Sequence, residues 1–152
     1  MKLCRCKKTG LQYAVKMFRS EDQEMFLAAD REFKIMQRLA GHPNLVGGID
    51  YIPEQMRGRG YLIMERVLGK NLLNHVVRGP GSTEAEAKEI MRKVLSGIEH
   101  MHERGVIHRD MNPTNVFLDE DLGTVKILDF NVSKLIPLEG SDEEKARKNS
   151  RF

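Results

Sequence analysis

Tyr13, Val15 and Met17 alternate with Ala14, Lys16 and Phe18, the period-two pattern of a half-buried strand. With the turn residues Lys8-Thr9-Gly10 ahead of them, they predict two strands over residues 2–18. The period then lengthens. Ser20 and Gln23 read as a capping box with Glu21 and Asp22 in the first turn, and Phe26, Ala29, Phe33, Met36 and Ala40 recur at helical spacing. That helix is expected to end near Gly41, before Pro43. Glu32 lies beside the apolar stripe, so a carboxylate sits at the edge of an inward face and requires a cationic partner. Residues 44–52 and 60–67 read as two further strands around the turn-prone stretch 53–59.

Beyond Gly69 the pattern turns helical, with a short helix around Leu72–Val77 and a long one opened by a capping box at Thr83 and Glu86. Ala87, Ile90, Met91, Val94, Leu95, Ile98 and Met101 trace its inward stripe, and it ends near Gly105. Short apolar runs at 116–118 and 125–128, separated by an acidic turn closing on Gly123, predict a hairpin. After Leu138 the chain becomes polar, and residues 139–152 read as a disordered tail. The fold class is therefore α+β: a small antiparallel sheet with one helix, then helices and a hairpin.

At 152 residues, 40% hydrophobic and 31% charged, the chain can bury one sizeable core. A net charge of +3 is spread along the sequence, without Lys and Arg runs interleaved with aromatics, which argues against a nucleic-acid surface. Cys4 and Cys6 form a lone C-x-C with no second pair and no nearby His, half of what zinc needs. His100 and His102, two apart on one helix, point in different directions and are poor metal ligands. No apolar stretch reaches the ~20 residues that span a bilayer, and no signal pattern opens the sequence, so neither membrane insertion nor export is expected. The default compartment is reducing and intracellular, the cytoplasm first.

The chemistry concentrates in two loops. One reads His108-Arg109-Asp110-Met111-Asn112-Pro113-Thr114-Asn115, the other Asp129-Phe130-Asn131, with the predicted hairpin between them. Upstream, Tyr13-Ala14-Val15-Lys16 ends one strand pattern, and Glu32 follows on the helix. This set resembles the protein kinases of eukaryotic type, whose loops read H-R-D-L-x-x-x-N and D-F-G and whose strand reads V-A-I-K; the serine/threonine class fits better. The resemblance implies a bilobal kinase-like fold with residues 1–68 as the small lobe and 69–138 as the start of the large one. It implies Mg²⁺ and ATP as cofactors and a protein hydroxyl as acceptor. Asp110 is then the catalytic base, Lys16 the contact to the α- and β-phosphates held by Glu32, and Asn115 and Asp129 the Mg²⁺ ligands.

By the same resemblance Met64-Glu65-Arg66-Val67 is the hinge, with Met64 behind the nucleotide, backbone groups of Glu65 and Val67 against adenine, and Ala14 lining its pocket. Asn71 falls where a ribose contact sits, and Phe117 under adenine, although a plain core residue reads equally well there. His108, Phe130 and Met36 are implied members of an apolar column, with Gly47-Gly48 near its fourth position. Arg109 ahead of Asp110 implies control by activation-loop phosphorylation.

Two positions depart from the pattern. Asn112 replaces a Lys that would neutralise the transferring phosphate, a loss on the order of 10²-fold in rate. Asn131 replaces the Gly of D-F-G, and Asn tolerates φ > 0, so the active backbone is expected to survive. The sequence contains no glycine-rich phosphate loop and no A-P-E, which reads as a domain truncated at both ends. On that expectation the 83–104 stripe faces water, open to a partner on the large-lobe face, and stability is marginal. The rival reading is a catalytically impaired pseudokinase or a kinase fragment acting as a nucleotide-binding or scaffolding module.

Overall fold

The computed structural model describes residues 1–19, 22–79, 81–119 and 122–137. The predicted cap at Ser20, part of the acidic turn before Gly123 and the polar tail 139–152 lie outside them.

The alternating N-terminal residues pair into an antiparallel sheet of β1 (Lys2–Arg5), β2 (Gln12–Arg19), β3 (Gly48–Glu54) and β4 (Arg59–Glu65), in the order β1-β2-β4-β3. Val15 faces Ile63 and Ala14 faces Met64 across the β2–β4 ladder. On one face packs α1 (Gln23–Arg38), which buries Phe26, Ala29, Glu32, Ile35 and Met36. Its N-cap is Asp22, whose side chain accepts from the Glu24 N–H, two residues beyond the predicted Ser20. The helix also stops earlier than the sequence suggests: Leu39 is its C-cap and is buried, while Ala40 is exposed.

A second correction concerns residues 44–46. Predicted to begin a strand of the sheet, they instead bind the distant hairpin of β7 (Val116–Leu118) and β8 (Val125–Ile127). The Ile127 N–H donates to the Asn44 carbonyl at 2.9 Å, the Val46 N–H donates to the Ile127 carbonyl at 3.0 Å, and Asn44 Nδ2 donates to the Val125 carbonyl at 2.9 Å. Backbone groups committed to β8 are unavailable to β4, so bonding to β4 begins only at Gly47, whose carbonyl accepts from the Glu65 N–H at 2.8 Å, and β3 starts at Gly48. There α1 comes so close that a Cβ on Gly48 would lie 2.9 Å from Cβ of Met36.

Past the sheet, β5 (Lys70–Asn71) pairs with β7, then come α2 (Leu72–Arg78) and α3 (Glu84–Glu103). The predicted capping box forms: Thr83 Oγ1 accepts from the Glu86 N–H and Glu86 answers the Thr83 N–H. Only one edge of the α3 stripe faces solvent, contrary to the expectation of a bare face. Met91 and Leu95 are exposed, whereas Ile90, Val94 and Met101 are buried in a cluster with Leu45, Val116 and Ile127. Each of those three contributes about 1.5–3 kcal/mol by leaving water. Two short strands that the pattern did not reveal, β6 (Val106–Ile107) and β9 (Lys134–Leu135), pair and fold the chain after Asn131 back beside the His108 loop.

Candidate active site

The Lys16 side chain leaves β2 on the face toward α1 and meets Glu32, with Nζ 2.9 Å from Oε2 and 3.1 Å from Oε1. The partner that Glu32 required is therefore Lys16. Glu32 is 5% exposed, so burial pushes its carboxyl above the usual range, against the opposing pull of the Lys16 charge. The same ammonium lies 3.5 Å from Oδ1 of Asp129, at the end of the β8 run and 113 residues away in sequence.

On the other loop, Asn115 is nearly buried and donates Nδ2 to the Asp110 carboxylate at 2.8 Å and to its carbonyl at 2.9 Å. The Asn115 amide nitrogen is thus taken, leaving the lone pairs of its carboxamide oxygen to meet a cation or a hydrogen-bond donor. Asn112 donates to the other carboxylate oxygen of Asp110 at 3.0 Å and accepts from the Thr114 N–H at 2.9 Å. A neutral amide, rather than a cation, stands beside Asp110.

Buried His108 ties the loops together. Its Nε2 lies 3.0 Å from the Leu128 carbonyl and its Nδ1 accepts from the Asp110 N–H at 3.3 Å, a bonding pattern that assigns the neutral ring with the proton on Nε2. Burial pushes the imidazole below its usual value. The ring packs against Phe130 with centroids 5.2 Å apart. Met36 is buried in the same core as Phe130, and the flanking Gly48 takes the close approach of α1.

Positive φ falls at Arg109 (66°) and Asp129 (67°). Asn131 is not among the positive-φ residues, so its tolerance of that region, expected to matter from the sequence, is not called on. The Arg109 guanidinium donates to the Val132 carbonyl, a second tie between the two loops.

Between sheet and hairpin lies a cavity of about 330 Å³. Lys16, Glu32, Asn115 and Asp129 line its polar side, and Met64, Phe117, Val46, Met36 and Leu128 much of the rest. Of the predicted set, the lining thus gathers Lys16, Glu32, Met64, Asn115, Phe117 and Asp129. Ala14 and Val67 pack against the core instead, Asp110 stands exposed beside Asn115, and Asn71 caps α2 by accepting from the Asn74 N–H at 2.8 Å. The Glu65 carboxylate is engaged elsewhere, 2.8 Å from Lys126 Nζ, and the same Oε2 accepts from the Gly47 N–H at 3.2 Å.

Val46, Thr114 and Leu128 as lining residues, and Lys126 as the partner of Glu65, were not read from the sequence. Alternation in the β8 run does turn Lys126 away from Val125 and Ile127, but nothing local says what it meets.

Sheet, helix and paired loops define a bilobal kinase-type domain, and comparison with known proteins agrees. The family model described as "Protein kinase domain" matches residues 1–150, and the chain belongs to that family. It is 31% identical over 137 residues to a Caenorhabditis elegans protein named "Putative ribosomal protein S6 kinase alpha-2", a match covering 88% of this chain and 17% of the relative. It is 32% identical to human "Ribosomal protein S6 kinase alpha-4" over the same shares. It is 36% identical over 128 residues to "Probable serine/threonine-protein kinase MARK-B" of Dictyostelium discoideum, covering 84% of this chain and 18% of the relative. The chain thus spans under a fifth of the length of these relatives.

Proposed function

We propose that this chain binds Mg-ATP in the 330 Å³ cavity and transfers the γ-phosphoryl group to a serine or threonine hydroxyl of a protein. The observation that carries the reading is the convergence on one cavity of the Lys16–Glu32 pair, Asp129 and Asn115, together with apolar side chains suited to a base. Residues 1–68 act as the small lobe and 69–138 as the start of the large one.

The donor set fits Mg²⁺, because Asp129 offers carboxylate oxygens, Asn115 offers an amide oxygen, and this hard cation prefers oxygen ligands. Bound there, the ion would neutralise phosphate charge. Lys16, oriented by Glu32, would contact the α- and β-phosphates. Met64 and Phe117 would flank the base, and backbone groups of Glu65 and Val67 would hydrogen-bond it, with Ala14 and Asn71 at the edges of the nucleotide. Asp110, its carboxylate held by Asn115 and Asn112, would accept the proton of the attacking hydroxyl. The serine/threonine class is supported by the name of the Dictyostelium relative. The exposed edge of α3 at Met91 and Leu95 is where a partner of the large lobe would bind.

Nucleotide titration with and without Mg²⁺ tests the reading. Mg-dependent ATP binding that Asp129→Ala weakens supports it, and its absence overturns it. Phosphate transfer abolished by Asp110→Ala supports the catalytic half; binding without any transfer would leave a nucleotide-binding module.

A further inference from the structure

The segment joining α1 to β3 is fastened to α3 by two stacked imidazoles. The rings of His42 and His100 lie with centroids 4.5 Å apart and planes inclined by 43°. His42 Nδ1 accepts from the Asn44 N–H at 3.2 Å, so the proton of the neutral ring belongs on Nε2, which lies 3.3 Å from the Ser96 hydroxyl. His100 is less well provided for, because its Nε2 is buried without a hydrogen-bond partner. A buried unpaired ring nitrogen is a cost that folded proteins seldom carry. Here it sits against a second titratable ring.

The surroundings decide what protonation does. Burial holds both rings below the usual imidazole range, and each is further disfavoured as a cation by neighbouring positive charge. Arg104 acts on both, His100 and Lys126 act on His42, and the Glu103 charge and the polar Leu39 backbone favour a charged His100. Protonating His42 also removes the lone pair that receives the Asn44 N–H. That segment matters, since Asn44 bonds the Val125 carbonyl and Val46, two residues on, lines the cavity.

We propose that the His42–His100 stack is a pH-sensitive latch, closed while both rings are neutral and released when either is protonated, which frees Asn44–Val46 from β8 and loosens the Val46 wall of the cavity. Only the effect on nucleotide binding rests on the function proposed above. The unfolded chain takes up protons at about 6.5, the folded rings only at lower pH. The latch therefore stabilises fully above that value, and its contribution is lost as pH falls through the folded values.

The test uses the full chain, His100→Phe, which keeps a ring to stack, and the double variant His42→Gln/His100→Phe. Melting temperature is followed from pH 8 to 5, together with the NMR titration of both rings and the amide signals of Leu45 and Val46. The latch requires ring midpoints below the ordinary histidine value, amide shifts sharing that midpoint, and a pH slope of stability reduced in His100→Phe and smallest in the double variant. Ordinary midpoints, silent amides or an unchanged slope in the double variant would overturn it, and the wild-type titration stands even if a variant fails to fold. Mg-ATP affinity should fall about five-fold or more on acidification in the wild type relative to the double variant. A chain that binds no nucleotide at any pH refutes the cavity reading, while melts and amide shifts still decide the latch.

Discussion

The ammonium of Lys16 lies 2.9 Å from a carboxylate oxygen of Glu32, joining β2 to α1 across the face where the cavity opens. The pair is unequal, since Lys16 is 35% exposed and Glu32 5%, so Glu32 depends on Lys16 far more than the reverse. Lys16→Met should cost about 3 kcal/mol, the low end for breaking a buried pair, and adding Glu32→Gln should recover part of it. Without Lys16, Glu32 loses its opposing pull and its carboxyl rises further above the usual value. The single variant should then gain stability as pH falls toward that value, because its folded state binds the proton more tightly. Denaturant unfolding between pH 7 and 5 checks both statements.

The contact of Asn115 with Asp110 predicts a division of labour. Asp129→Ala and Asn115→Ala should weaken nucleotide binding in Mg²⁺ and leave it nearly unchanged in EDTA. Asp110→Ala should leave Mg-dependent affinity within about two-fold, because Asp110 stands outside the cavity lining, while abolishing transfer. Equal loss of Mg-dependent affinity in all three would contradict the assignment.

Asn112 holds Asp110 and Thr114 through a neutral amide, where a cation would meet the transferring phosphate. Asn112→Lys should raise the transfer rate by about 10-fold or more, part of the ~10²-fold such a contact supplies. Affinity for Mg-ATP should change little. Single-turnover assays separate the two effects, and a tighter Kd at constant rate would refute the role.

Packing of α1 on β3 relies on Gly48, whose added Cβ would meet Cβ of Met36 at 2.9 Å and a ring carbon of Phe33 at 3.2 Å. Both are near-backbone or rigid groups. Gly48→Val should therefore destabilise by about 1–3 kcal/mol, as overpacking does, and displace α1 and with it Glu32. Thermal melts read the first effect. Weaker nucleotide binding, beyond what instability explains, reads the second.

Protonation of His42 and His100, like that of buried His108, should lower stability as pH falls through the mildly acidic range, by the linkage set out above.

Much of this molecule was legible along the chain. Alternation gave β2 and β4, helical spacing gave α1 and α3, the Thr83–Glu86 box set the start of α3, and the intervals around Asp110, Asn115 and Asp129 pointed to the family. Local patterns carry such features because strand and helix periods, capping bonds and loop spacings are properties of neighbouring residues. What they could not carry was the choice among distant partners. Residues 44–46 belong to a strand-like run, yet β8, 81 residues on, took their backbone groups before β4 could. Lys126 of β8 found Glu65 at the end of β4, and His42 found His100 of α3, pairings that no periodicity announces. The sequence by itself determined the family, the main strands and helices and the identity of the chemical groups. The tertiary structure decided which of those groups share a cavity, which rings are buried beside one another and which edge of α3 stays wet, because burial and long-range contact exist only once the chain is packed.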